Sequence, residues 1–387
     1  MPISLPITEL NFSVSQREFN VLRPISYLGS KLRSIDSILE VRNQIQPHPM
    51  KILDPFVGSS VVAQAFAKNG DTVVSSDVMR MCRDMAMATV CGKSVEIASL
   101  KKIAEKVIQA PAVVDFELFR NYRDKELNLL SAGDGAGLIK FSMTIPQVWR
   151  SERATPELKA LFSKLRSSAG EKIVQSAPVI TAFYGGTYFG LHQALEIDRL
   201  WQSILSIKKE FKISEWGLSC LFTALYSAIS SCAFTAGKHF AQPYLISAER
   251  NNSFATKRVI EDRSVNVQKK FMQSIIDICN NIDHSETNHT VINRSLEQWT
   301  VKDIRESEID LIYADPPYTA QQYSRFYHIP ETLSKGIIPD LHIHRGEVTR
   351  GIYPTNRYKS NFCSKIKSLQ SFEHLFNLAA KTEASLL

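Results

Sequence analysis

The alternation of apolar and polar positions is clearest near the start of the chain. Lys51–Leu53 predicts a short strand ending at Asp54, followed by the turn Pro55-Phe56-Val57-Gly58-Ser59-Ser60. Helix-forming residues continue from Val61 to Lys68, and Asn69-Gly70 supplies the chemistry that ends helices. Thr72–Ser76 predicts a second strand, ending at Asp77. Strand, turn, helix and acid-ended strand together open a parallel, doubly wound α/β sheet. From about 81 to 285 the pattern is mostly helical, with Pro- and Gly-bearing loops near 131–137, 143–156, 176–190 and 236–256. Sheet patterning then returns at Thr290–Asn293 and at the apolar run Ile309–Ala314, which ends in Asp315-Pro316-Pro317-Tyr318. Ser368–Ala380 places Leu369, Phe372, Leu375, Phe376 and Ala379 at amphipathic helical spacing. There is no internal repeat.

Composition narrows the class. The chain has 387 residues, 44% hydrophobic and 22% charged, with 16 Gly and 16 Pro, which excludes disordered, collagen-like and low-complexity readings. Lys and Arg outnumber Asp and Glu by 46 to 39, so the net charge of +7 permits a polyanionic partner without demanding one. The six cysteines (82, 91, 220, 232, 279 and 363) form no Cys-x-x-Cys pair, which argues against a zinc ribbon or a secreted disulfide scaffold and for a reducing cytoplasm. The opening residues MPISLPITELNFSVSQREF lack the basic and apolar regions of a signal peptide. The longest apolar stretch, Gly217–Phe234, is interrupted by Ser, Thr and Cys and reads as a buried helix, not a membrane span.

Three segments could carry chemistry. At the end of a buried strand, Asp315 and a proline carbonyl can accept both hydrogens of an exocyclic amine, while Tyr318 stacks on the ring bearing it. The plainer reading is a proline turn with a capping Asp. In Asp54-Pro55-Phe56-Val57-Gly58-Ser59, Gly58 allows close backbone approach to a ligand and Phe56 offers an apolar face. Asp77, at the end of the next strand, suits ribose hydroxyls. The alternative is a tight strand-to-helix turn. Ser26-Tyr27-Leu28-Gly29-Ser30-Lys31 precedes a helical run but lacks the spaced second glycine of a phosphate loop. Gly133-Asp134-Gly135-Ala136-Gly137 is read as a flexible surface loop, because Leu138–Met143 is a poor following helix. His342 and His344 have no nearby Cys, so a metal site is not expected there, and none is expected elsewhere.

In this order, the three segments resemble those of N6-adenine DNA methyltransferases of the DNA adenine methylase type. Tyr27-Leu-Gly-Ser-Lys31 is similar to that family's N-terminal motif, Asp54-Pro-Phe-Val-Gly58 to its S-adenosylmethionine loop, and Asp315-Pro-Pro-Tyr318 to its catalytic motif. Phe183-Tyr-Gly-Gly-Thr-Tyr-Phe189, Gln193 and Ile197-Asp198-Arg199 also look familiar from the family. The resemblance implies a doubly wound S-adenosyl-L-methionine-dependent methyltransferase sheet with a mostly helical inserted target-recognition domain. Residues 20–100 and 286–387 would form the catalytic domain and 101–285 the insertion. It implies catalytic roles for Asp315, Pro316, Pro317 and Tyr318. The cofactor would lie among Tyr27, Gly29, Ser30, Lys31, Asp54, Pro55, Phe56, Gly58, Ser59, Asp77 and Asp315. A target adenine would have to be flipped out of duplex DNA. The stretch Lys238–Lys270 carries seven basic residues against three acids and reads as a DNA-gripping loop, with Lys238, His239, Asn251, Lys257 and Arg258 as contacts and Tyr323 beside the flipped base. Arg325, Phe326 and Tyr327 are further candidates for that pocket, and a second basic run, Arg345 to Lys367, lies where it could grip the backbone.

Two departures from the family shape the expectations. Where the family often has an Asp for the cofactor adenine, this chain offers Ser295, so Asn293 or Ser295 is expected to substitute. The strand ending at Asp315 also needs a neighbour after the helix at 368–380, and Ser385-Leu386-Leu387 supplies only its first residues. The expectation is a truncated or split enzyme whose last strands are absent or come from a second polypeptide, against the alternative that an earlier segment completes the sheet. A cytoplasmic restriction-modification or host-defence methylase, with a cognate endonuclease as partner and no membrane association, is the leading functional reading. The rivals are a catalytically silent or split DNA-binding subunit and a methyltransferase acting on RNA adenine or cytosine N4.

Overall fold

The computed structural model describes residues 20–92, 96–111, 116–174, 176–244, 253–282, 288–317 and 319–387. Helix α1 (Ile35–Ile45) leads into β1 (Lys51–Asp54), α2 (Val61–Lys68), β2 (Thr72–Asp77) and α3 (Arg80–Val90). A helical run follows: α4 (Ile97–Gln109), α5 (Arg120–Ser131), α6 (Gly135–Ser142), α7 (Pro156–Ser167), α8 (Val179–Tyr184), α9 (Leu191–Glu210), α10 (Glu215–Cys232), α11 (Ser253–Arg263) and α12 (Val267–Asn280). The chain then returns to the sheet with β3 (Thr290–Asn293), α13 (Val301–Glu306) and β4 (Leu311–Ile312). It closes with α14 (Tyr323–Phe326), α15 (His328–Lys335), the hairpin β5 (Ile343–His344) and β6 (Glu347–Val348), α16 (Ser368–Thr382) and β7 (Ser385–Leu386).

The main sheet has the order β3-β2-β1-β4-β7, and every neighbouring pair is parallel. Because successive side chains alternate between faces, each central strand feeds two cores. Ile52, Val73 and Leu311 point into the larger core, shared with α2, α3 and the helical insertion. Leu53, Val74 and Ile312 point into a smaller one, closed by Trp299, Ile304, Leu375 and Leu378. That two-faced burial explains why these strands read as short unbroken apolar runs.

The neighbour required by β4 comes from the segment that the sequence singled out. Ser385 N donates to Asp310 O at 2.8 Å, Leu387 N to Ile312 O at 3.0 Å, and Ala314 N to Leu387 O at 2.9 Å. Both edges of β4 are therefore paired.

The helical run α4–α12 is joined through α10 to α3, which packs on the sheet. Tyr226 Oη donates to Asp84 Oδ2 on α3 at 2.8 Å, and Trp216 Nε1 donates to Ala88 O at 3.2 Å. The boundary expected at residue 100 falls inside α4. The apolar stretch Gly217–Phe234 is mostly α10 and is buried. Among the described residues no helix is long and apolar enough to cross a membrane.

One expectation is corrected. The glycine-rich stretch at 133–137 is not a flexible loop: α6 starts at Gly135, with the Asp134 carboxylate accepting from Gly137 N at 2.7 Å as its N-cap. Leu138 and Ile139 pack on Phe234 and Val259. The glycine at 135 is there for proximity, since a Cβ would sit 2.4 Å from the Thr256 carbonyl oxygen on α11.

Candidate active site

The parallel strands deliver their terminal acids to one end of the sheet, the usual ligand end of a doubly wound fold. Asp77, at the end of β2, accepts from Met79 N through Oδ1 at 2.8 Å and from Gly58 N through Oδ2 at 3.1 Å. Burial pushes its carboxyl up to about 6, and those two N–H donors pull against the rise. Asp54 turns inward, 1% exposed, and accepts from Phe56 N at 3.1 Å. Burial holds it well above the usual carboxylate range, and the charges of Asp315 and Asp77 add to the effect. Asp54 therefore shapes the turn from beneath, and Ser59 is buried with it.

Gly58 has φ +50°, and a Cβ there would lie 2.9 Å from Tyr27 Cε1. The Tyr27 ring is held in an aromatic stack, 4.6 Å and 6° from Tyr327 and 5.7 Å and 27° from Tyr323. Residues 27–31 are thereby clasped against the turn that follows β1. Lys31 reaches further, donating through Nζ to Asp315 Oδ2 and to Gly29 O at 3.2 Å. Lys31 and Asp315 are each about a quarter exposed, 27% and 28%, so the pair sits at the wall of the site and not in the core.

A cleft of about 700 Å³, counting the part open to solvent, gathers Tyr27, Gly29, Pro55, Phe56, Asp77, Asp315, Pro317 and Tyr323. Phe56 meets Phe362 edge-on at 5.3 Å, which fixes its ring at the cleft wall. Ser30 faces elsewhere, into a neighbouring pocket shared with Arg23, Arg33 and His239, and its buried hydroxyl has no hydrogen-bond partner among the described residues. Tyr318 and Asn251 lie outside the described residues.

Sequence reasoning missed Glu297. Asn293 donates its amide to the Asp77 and Val78 carbonyls, at 2.7 and 3.1 Å, and so serves the backbone. Ser295 lines the cleft but begins a capping box, its N–H bonded to Gln298 Oε1 at 3.0 Å. The one-turn helix Leu296–Gln298 then brings Glu297 to the cleft wall. Its Oε2 accepts from Tyr358 Oη at 3.5 Å, while the buried Oε1 has no partner among the described residues. The Ser-x-x-Gln box was the available signal, because it marks a turn that carries Glu297 to the cleft.

The basic loop is more internally committed than its composition implies. Lys238 donates to Asp262 at 2.6 Å and to Ala233 O at 3.0 Å, and burial holds its pKa below the usual lysine range. Arg258 shares the same Asp262 at 2.9 Å. Lys257 lies 3.9 Å from Glu261 on an exposed face. His239 packs edge-on against Phe326 at 4.9 Å.

The segment around 183–199 forms framework. Asp198 accepts from Ile180 N, Thr181 N and Thr181 Oγ1 at 2.9, 2.8 and 2.7 Å, and burial raises it to about 7. Gln193 donates to the carbonyls of Asp262, Arg263 and Val265. Tyr188 Oη reaches both Phe240 O and Gly351 O, at 2.8 Å each, tying the insertion to the segments after β4.

Comparison with known proteins places part of this architecture. The model of the D12 class N6 adenine-specific DNA methyltransferase family matches residues 239–383, which include β3, β4 and Asp315. Modification methylase LlaI of Lactococcus lactis subsp. lactis is 27% identical over 189 residues, 49% of this chain and 26% of that protein. Type II methyltransferase M.FokI of Planomicrobium okeanokoites is 26% identical over 192 residues, 50% of this chain and 25% of that protein. The chain thus spans about a quarter of the length of the curated relatives it matches. No solved structure matches.

Proposed function

We propose that this chain transfers a methyl group from S-adenosyl-L-methionine to adenine N6 in duplex DNA, as the modification arm of a restriction-modification or defence system with a cognate endonuclease as its counterpart. The observation that carries the reading is the convergence of Phe56, Asp77, Asp315 and Pro317 on one cleft at the C-terminal ends of parallel strands.

The residues present fit the donor. Asp77 offers carboxylate oxygens for ribose hydroxyls, Phe56 offers an apolar wall for a purine, and the unpaired Glu297 Oε1 is an acceptor for a purine amine. S-adenosylmethionine, when bound, supplies a methyl group already activated as a sulfonium. What remains for the protein is alignment and polarisation of a weakly nucleophilic amine. Asp315 and the Pro316 carbonyl accept the two amine hydrogens, drawing the nitrogen lone pair out of conjugation with the ring. Lys31, paired with Asp315, holds the carboxylate aimed until the amine arrives. Tyr318 stacks on the flipped base. After transfer, the surplus amine proton passes to Asp315 and on to water.

The test is transfer of labelled methyl to unmethylated duplex DNA, with the product nucleosides identified and Asp315→Ala as control. N6-methyladenine, lost in Asp315→Ala while donor binding persists, is the expected result. Loss of donor binding in that variant would overturn the role given to Asp315. DNA binding with no transfer by the wild-type chain would favour a silent subunit instead.

A further inference from the structure

Beside the cleft lies a cluster that the methyl-transfer chemistry leaves unused. The guanidinium of Arg357 lies over the ring of Tyr353 at 4.3 Å, and that of Arg325 over the same ring at 5.2 Å. No carboxylate pairs with either guanidinium among the described residues. The Arg357 guanidinium donates to Pro354 O at 3.2 Å, and the buried Nε atoms of both arginines have no partner among the described residues. Glu331 and Asp340 line a pocket with Arg357 without pairing with it, and Glu331 is held by Lys335 at 3.0 Å and by the N–H groups of Arg80 and Met81. Buried His328, its pKa lowered to about 3 by burial, stays neutral beside Tyr353 and adds no charge of its own to the cluster. Two like charges gathered on one ring without an anion destabilise the folded chain, and an arriving anion relieves that.

The cluster is fixed to the cleft wall on both sides. Arg325 follows Ser324, whose Oγ donates to Tyr358 O at 2.6 Å, and Arg357 precedes Tyr358. Gln322 bonds Ser360 twice, through Oε1 at 2.7 Å and Nε2 at 3.3 Å. Gln322, Ser324, Tyr358 and Ser360 all line the cleft that contains Asp315.

We infer that Arg325 and Arg357, pre-set on Tyr353, form a clamp for a backbone phosphodiester of the DNA strand entering the active site. The inference rests on the reading of the chain as a DNA methyltransferase and adds the contact that holds the target strand. A phosphodiester matches the donor set, since guanidinium N–H groups bond phosphate oxygens in pairs and the stacked tyrosine keeps the forks oriented. Contact with phosphate, not with a base edge, fixes register and is indifferent to sequence.

The experiment is DNA affinity across a salt series, for the wild-type chain and for Arg325→Gln, Arg357→Gln and Arg325→Lys, with far-UV circular dichroism and urea midpoints recorded in parallel. Each Gln variant should lower the slope of log K against log salt by about 0.9 and weaken binding about eightfold at 0.1 M salt, equally for unrelated sequences. Arg325→Lys, which keeps the charge and is the milder change should a Gln variant misfold, should retain the slope. If wild-type binds DNA with salt dependence but the folded Gln variants keep its slope, the clamp is overturned and the methyltransferase reading stands. If the wild-type chain binds no DNA, that reading falls and the clamp falls with it.

Discussion

Gly58→Ala tests the clasp between the N-terminal motif and the first strand-to-helix turn. Two costs add. An alanine at φ +50° occupies the left-handed region, worth about 1–2 kcal/mol against an L residue. The new Cβ would also meet Tyr27 Cε1 at 2.9 Å and Cζ at 3.1 Å, and the ring cannot swing aside because Tyr323 and Tyr327 stack against it. Overpacking of that kind costs about 1–3 kcal/mol, so the sum is about 2–5 kcal/mol. Urea denaturation should show a lowered midpoint with an unchanged m-value. The two costs separate in a double-mutant cycle. In a Tyr27→Leu background the steric part disappears and only the backbone part, about 1–2 kcal/mol, should remain. A coupling energy below about 0.5 kcal/mol would refute the clash, and a Gly58→Ala protein as stable as wild type would refute both costs.

Asp71→Asn should be more damaging than its small change in shape suggests. Asp71 is fully buried, pairs with Arg42, which is 1% exposed, and accepts Met50 N at 2.9 Å. Leaving that guanidinium without its anion should cost about 3–5 kcal/mol in urea melts, and a loss under about 1 kcal/mol would sink the argument. Asp77 should give acid pH two opposite effects. Its raised pKa, about 6, means that donor affinity resting on the anion stays level above that pH and falls toward tenfold per unit below it. The same raised pKa means that the folded chain takes up the proton more readily than the unfolded one. The stability from this group is therefore complete below the unfolded carboxyl value and is lost as pH rises through about 6. Titration calorimetry between about pH 5 and 8 checks the first effect, and Asp77→Asn should flatten the profile.

Several features were legible without the structure because they are local. A strand buried on both faces is a short apolar run, so β1, β2 and β4 could be located within a residue or two, although β4 is described as Leu311–Ile312 while its hydrogen bonds run from Asp310 to Ala314. The glycine of the first turn and the acid closing β2 belong to one backbone unit and could be paired from spacing alone. The helix α6 was missed because its support is not local. Its cap is a single Asp134, and its apolar side is covered by residues from α10's end and α11.

The sequence by itself determined which strands end in acids and that those ends lie together, since a parallel sheet sends the C-terminal ends of its strands to one end. Only the tertiary structure decided which of those residues meet. Lys31 and Asp315 are 284 positions apart, and no periodicity links them. Lys238 and Arg258 looked like DNA contacts by charge, yet both are held by Asp262. Glu297 was not singled out in the sequence, yet a one-turn helix brings it to the cleft. Charge and residue type are properties of the chain, whereas a pairing depends on which side chains long-range packing brings within a few ångströms of each other.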